Sequence, residues 1–201
     1  TGTFGVVSVG NSLVGSTAND QIGNLGIRAL ANGNFVVSSP NWDNGAASNA
    51  GAVTWGNGTT GLTGVVSANN SLVGDVTSDL VGNGHWIIEL TNGNYVVRSF
   101  SWRGNRGAAT WADGSTGITG VVSAGNSLVG STADDTIGHT GIFALSNGNY
   151  VVATPTWNNG SVVKAGAVTW GNGLGGTVGQ VSNANSLIGD QLLDQVGGGV
   201  L

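Results

Sequence analysis

The word NSLVG begins at Asn11, Asn70 and Asn126 and returns as NSLIG at Asn185, so its spacings are 59, 56 and 59 residues. Such self-similarity constrains the fold more than any single motif, because a fixed period marks one supersecondary unit used repeatedly. Each copy reads in the same order: GVVS, NSLVG, an Asp nine residues after the Asn, IG or VG, a short strand, NGN, a YVV-type strand, a Trp, and finally AVTWGNG. The second copy is the loosest, with GAATWADG in the last slot. No low-complexity linker or charge run separates the copies. The chain therefore reads as a single array with approximate copies 5–63, 64–119 and 120–178 and a partial copy 179–201.

Within a copy, LANGNFVV, LTNGNYVV and LSNGNYVV set two short apolar, β-branched or aromatic segments around Asn-Gly. That dipeptide favours a type I′ hairpin turn, whose two central residues both need positive φ. The reading places the turns at Asn32-Gly33, Asn92-Gly93 and Asn147-Gly148, with Leu145 opposite Tyr150 in the third hairpin. AVTWG alternates small and large residues as a third strand, and TGVVS supplies a fourth. Four strands in about 58 residues, without helical periodicity, predict an all-β chain of tandem four-stranded antiparallel β-meanders, each the size of a β-propeller blade. Solenoid coils are the competing architecture, but they are usually nearer 20–30 residues.

Composition narrows the chemistry. A total of 38 glycines with only 7% charged residues fits short strands and tight turns. The net charge of −5 offers no basic patch to displace counterions, which argues against nucleic acid as a partner. Cysteine is absent, so disulfides, thiolate metal sites and cysteine nucleophiles are excluded, and this fits a secreted protein. No apolar run approaches the roughly 20 residues of a membrane helix, so insertion is not expected. The start at Thr1 reads as a processed or excised piece.

The order SLVGSTADDTIG, GIFALSNGNYVVATPTWNNG, AGAVTWGNG resembles the FG-GAP repeat of integrin-type β-propellers. It is also similar to repeats of unassigned function found in tandem in very large secreted bacterial proteins of the adhesin or haemagglutinin type. The resemblance implies an extracellular or cell-surface location and a structural or adhesive role. FG-GAP blades often carry a calcium loop, and calcium needs six to eight oxygen ligands. The turns here hold no acid, so neither calcium nor another cofactor is expected.

Asp20, Asp79, Asp135 and Asp194 form the one acidic position present in all four copies. Such an Asp either ligates a metal or glycan or, as adopted here, accepts backbone N–H bonds and fixes a turn between units. Trp55, Trp111 and Trp170, inside the third strand, are expected to seal one unit against the next. Trp42, Trp102 and Trp157 lie in loops such as NWDNG and TWNNG. There, exposed rings beside Asn44 and Asn159 would stack on sugar faces; the alternative is packing beneath the loop. Glu89 and Arg98 mark the middle copy, and the two-residue turn sets them on one face as a local ion pair.

Catalytic constellations are nearly absent. His85 and His139 are the only imidazoles, and no serine has a nucleophile-elbow context, so no enzyme is expected. Two function classes stay open: a structural or adhesive surface module, and a lectin with one Trp/Asn site per repeat. Counting a lone strand in FGVVS, three full sets and a last strand in GGGVL, the units do not close a ring of the usual size. The expected partners are neighbouring repeats or other copies of the chain, in a larger ring or filament, with glycans in the lectin case.

Overall fold

A computed structural model describes residues 4–83 and 87–199, so His85 and Trp86 lie outside the described residues. The strands in chain order are β1 (Leu13–Val14), β2 (Ile27–Ala29), β3 (Phe35–Ser39), β4 (Ala52–Gly56), β5 (Gly64–Val65) and β6 (Ser71–Val73). They continue as β7 (Ile88–Glu89), β8 (Tyr95–Ser99), β9 (Ala108–Ala112), β10 (Gly120–Val121) and β11 (Leu128–Val129). The last are β12 (Gly141–Ala144), β13 (Tyr150–Thr154), β14 (Ala167–Gly171), β15 (Gly179–Gln180) and β16 (Ser186–Ile188). One helical turn interrupts them, Trp102–Asn105, where Arg103 and Gly104 are left-handed. No strand forms at FGVVS; of GGGVL, Gly197–Gly199 join none, and Val200 and Leu201 lie outside the described residues.

The chain is thus a series of antiparallel meanders, β2-β3-β4-β6, then β7-β8-β9-β11, then β12-β13-β14-β16, and they form no closed barrel. The fourth strand differs from the expected one. It is supplied by NSLV, whereas the GVVS segment steps sideways and pairs in parallel with the NSLV strand of the preceding unit: β5 with β1, β10 with β6, β15 with β11. The Asn of NSLVG makes this detour possible. Asn70 Oδ1 accepts the Ser67 N–H at 2.9 Å while its Nδ2 donates to the Val65 carbonyl at 2.9 Å, pinning the turn between β5 and β6.

The hairpin turns also differ from expectation. Ala144 pairs with Tyr150, Leu145 N–H donates to the Asn149 carbonyl, and Gly148 N–H donates to the Leu145 carbonyl. Ser146, Asn147 and Gly148 therefore form a three-residue loop, and only Gly148 takes positive φ, at 87°. This is a type I turn closed by a left-handed glycine, the next most common hairpin solution after the primed turns. The extra loop residue slips the register by one, which exchanges the two faces of every β2-type strand.

Both faces of the interior sheets are apolar because each sheet is sandwiched. Val36, Val53 and Leu72 of the first unit pack with Ile87, Tyr95 and Val97 of the second. Val96, Ala109 and Leu128 of the second pack in turn with Ile142, Tyr150 and Val152 of the third. Alternate residues of one strand thus serve two different junctions, as the two-residue period of a strand allows. Gly51, Gly107 and Gly166 open the third strands with φ of 77–79°, and a Cβ there would strike the backbone at Val81, Ile137 and Val196, so no other residue fits.

Candidate functional site

A polar cluster lies where one unit meets the next. Trp55 Nε1–H, Asn32 Nδ2 and Asn34 Nδ2 of the first unit all donate to the Gly114 carbonyl of the second, at 3.0, 2.8 and 3.0 Å. Trp111, Asn92 and Asn94 repeat this on the Gly173 carbonyl of the third unit, at 3.0, 2.8 and 2.9 Å. Asn32, Asn92 and Asn147, which the sequence assigns to turns, therefore differ in what their side chains reach: the first two cross a junction. The cluster is set up within each unit beforehand, since Asn94 N–H donates to Asn92 Oδ1 at 3.1 Å and Gly114 N–H to Asn94 Oδ1 at 3.0 Å. Gly33, Gly93 and Gly148 lie directly against Gly58, Gly114 and Gly173, leaving no room for a Cβ on the latter three.

This cluster was only partly legible beforehand. The tryptophans of the third strand were expected at the junction, and Trp55 and Trp111 are there, half-buried. The second Asn of NGN and the glycine of WGNG were missed as recognition groups. Their signal was present: NGN and a W-x-x-G spacing recur together in all three full copies.

The recurrent Asp sits at the other end of the sheets. Asp135 is buried and accepts the N–H groups of Ser131 and Thr132, both at 2.8 Å, and of Asn158 at 3.0 Å. Asp20 binds Ser16, Thr17 and Asp43 in the same way, and Asp79 binds Asp75, Val76 and Arg103. Asp194 is exposed and, among the described residues, holds only Asp190 and Gln191. Residues on both sides of each Asp are left-handed, including Leu80 at 49° and Thr136 at 50°, costly conformations for such side chains that the carboxylate bonds help hold. Burial pushes the Asp20 carboxyl upward, but hydrogen bonds from Thr17, Asp43 and Ser16 outweigh it and hold it below its ordinary value.

The loop tryptophans do not form stacking platforms. Trp42, Trp102 and Trp157 are only 3%, 7% and 4% exposed, and their indole N–H groups have no partner among the described residues. Asn44 and Asn159 are also committed, donating to the Gly74 and Gly189 carbonyls at 2.8 and 3.1 Å. The physical reason is area: rings this large are buried in the apolar clusters, Trp42 with Ala52 and Val66, Trp102 with Leu30 and Tyr95, and Trp157 with Leu90 and Val152. The Glu89–Arg98 pair likewise does not form. Glu89 pairs with Tyr95 across the ladder and reaches back to the first unit, to Arg28 at 3.7 Å and the Ala31 N–H at 2.5 Å. Arg98 lies on the opposite face, over the Phe100 ring at 5.8 Å, and burial lowers its guanidinium pKa. His139 is exposed and meets Phe100 edge-on at 5.3 Å, with no carboxylate bonded to it among the described residues. Among the described residues no group of three His, Cys, Asp or Glu side chains converges to hold a metal.

Fold and junction together define a tandem β-meander repeat protein. The chain belongs to the family described as a repeat of unknown function (DUF5650), which matches residues 1–24, 29–83, 89–139 and 144–198. The family divides the chain into four matched segments, where the reading above counted three copies and a part. No curated protein matches the chain.

Proposed function

We propose that the chain is a structural and adhesive repeat module of a secreted or cell-surface bacterial protein, with units akin to the FG-GAP blades of integrin-type propellers, stacked into a larger ring or filament. The observation that carries this reading is the use each unit makes of its chemistry. The polar side chains at Asn32, Asn34, Asn92 and Asn94 and the indoles of Trp55 and Trp111 are committed to the neighbouring unit. A module that spends its recognition groups on its own continuation builds length, as solenoid arrays do. The absence of cysteine suits such a protein outside the cell. The lectin alternative rested on exposed rings at Trp42, Trp102 and Trp157, and it has no platform there. No helix among the described residues is long and apolar enough to cross a membrane.

Protease treatment of intact cells that produce the chain tests the reading. Peptides from residues 30–157 are expected in the released fraction, and a chain found only in the cytosol would overturn it.

A further inference from the structure

Asn-Gly occurs seven times within the described residues. Asparagine is a thermally labile residue, and a glycine after it leaves the backbone nitrogen unshielded by any Cβ. By sequence the seven pairs are alike. The structure divides them by what the glycine N–H does.

In five pairs that N–H is tied. Gly33, Gly93 and Gly148 close the three-residue hairpin loops, donating to the Leu30, Leu90 and Leu145 carbonyls at 3.0, 2.9 and 3.1 Å. Gly58 and Gly173 donate to Asn34 Oδ1 and Asn149 Oδ1 at 3.1 and 3.0 Å. The remaining two pairs sit in the Trp loops of the first and third units. Asn44 and Ala47 bond each other's backbone at 3.0 Å in both directions, as do Asn159 and Val162. Gly45 and Gly160 are therefore the first central residues of two-residue turns, with φ of 60° and 59°. At that place the N–H stands outside the ladder. Both glycines are exposed, and neither N–H meets an acceptor among the described residues.

We propose that Asn44 and Asn159 are self-modification sites, each converting to a mixture of aspartate and isoaspartate with water as the sole co-reactant. The Gly45 nitrogen gives up its proton to solvent and attacks Asn44 Cγ. An N–Cγ bond forms, the Cγ–Nδ2 bond breaks, and Nδ2 takes up a proton and leaves as ammonia, closing a succinimide ring. Water then adds to one of the two ring carbonyl carbons, the bond from that carbon to the glycine nitrogen breaks, and the nitrogen regains a proton. Opening at Cγ leaves aspartate, and opening at the backbone carbon leaves isoaspartate. Nothing is oxidised or reduced. Gly160 acts on Asn159 in the same way.

The departing nitrogen is a tether, so the reaction reaches beyond its own loop. Asn44 Nδ2 donates to the Gly74 carbonyl at 2.8 Å and Asn159 Nδ2 to the Gly189 carbonyl at 3.1 Å, tying each Trp loop to the NSLVG or NSLIG segment that follows. A carboxylate has no proton to donate, so the loop parts from that segment once the ammonia has left. At Asn44 the new charge also stands next to Asp43, whose Oδ1 holds the Asn49 N–H at 2.7 Å. In these two pairs the tether restrains the leaving nitrogen and leaves the attacking one free. In the other five the attacking nitrogen must first break its own hydrogen bond, which slows attack about tenfold.

Peptide mapping by mass spectrometry tests this on the full chain held in mildly alkaline buffer, folded and in urea. Folded, Asn44 and Asn159 are expected to convert about tenfold faster than the five tied asparagines. Unfolded, all seven are expected to converge, because each precedes glycine. Equal rates in the folded chain, a lead by any tied pair, or a ranking that urea leaves unchanged overturns the proposal. Two variants probe the cause. Asn34→Ala and Asn34→Asp both lose the bond to the Gly114 carbonyl, but only the aspartate keeps an acceptor for the Gly58 N–H. Asn57 is expected to convert about tenfold faster in Asn34→Ala and at the parent rate in Asn34→Asp. A rise in both variants would show that general loosening sets the rate, and would overturn the proposal as well. The chemistry needs only the folded chain and water, so its outcome is separate from that of the surface-module reading.

Discussion

Trp55 donates its indole N–H to the carbonyl oxygen of Gly114 at 3.0 Å, across 59 residues of chain and one unit boundary. Trp111 stands in the same relation to Gly173, and Trp170 meets no such carbonyl among the described residues. Each junction carbonyl takes three donors, so losing one leaves it satisfied and the loss is that of a single bond. Trp111→Phe is expected to cost about 1 kcal/mol in urea unfolding, and Trp170→Phe to fall within about 0.5 kcal/mol of the parent. Equal effects at the two positions would mean the junction bond contributes nothing.

Gly148 has a φ of 87°, is buried, and its Cβ position lies 3.0 Å from Asn92 Nδ2 of the preceding unit. Gly148→Val is expected to cost on the order of 1–3 kcal/mol from backbone strain, with the displaced Asn92 adding to it. At Gly33 the φ is 88° but a Cβ would meet nothing, so Gly33→Val is expected to lose less. Parity between the two variants would remove Asn92 from the account.

Trp157 is buried with its indole N–H unpartnered. Trp157→Ala is expected to cost about 3–5 kcal/mol through the cavity it leaves. Trp157→Phe is expected to cost much less, because it also removes a buried donor that has no acceptor. Chemical unfolding of the two variants checks this, and a small loss on the alanine change would place the ring outside the core.

The lowered Asp20 carboxyl carries a pH signature. Its contribution is fully present above the ordinary value of 3.8 and is lost as the pH falls through the lower folded value. Melting temperature is expected to drop as the pH falls below about 4, and the drop to be smaller in Asp20→Asn. Identical acid profiles would show that the carboxylate bonds do not stabilise the fold.

At the alkaline end Tyr95 and Tyr150 act in the opposite sense. Burial raises both phenols, with the Asp113 charge adding to the rise at Tyr95 and the Thr177 N–H partly offsetting it at Tyr150. The unfolded chain ionises near the ordinary value of 10.0 while the folded chain keeps its protons, so stability is expected to fall from about pH 10 upward. These are the only two tyrosines, so tyrosinate absorbance is expected to appear together with unfolding. Absorbance that rises first, with the fold intact, would contradict their burial.

The array, its period, the all-β class and the hairpins at NGN were all readable from the sequence, because each depends on local patterns: self-similarity, alternation and the turn preference of Asn-Gly. The turn type was not. Asn147-Gly148 supports a two-residue or a three-residue loop, and the choice falls to whichever register buries the right faces between sheets. That single slip sends Glu89 to Arg28 of the first unit and Arg98 to Phe100, on opposite sides of one sheet.

Strand order was likewise a tertiary decision. GVVS and NSLV are both short β-branched segments, and nothing local says which one closes the meander. NSLV does so because Ser71 Oγ meets Thr54 Oγ1 at 2.7 Å in the buried ladder, a bond that Ser127 and Ser186 repeat with Thr110 and Thr169. GVVS is left to pair with the unit before. The sequence by itself determined that one β unit recurs and that glycine and asparagine shape its turns, since those follow from residue-level conformational preference. Only the tertiary structure decided that the Trp42 position is core and not an exposed loop platform, because burial depends on which sheet arrives to cover the ring.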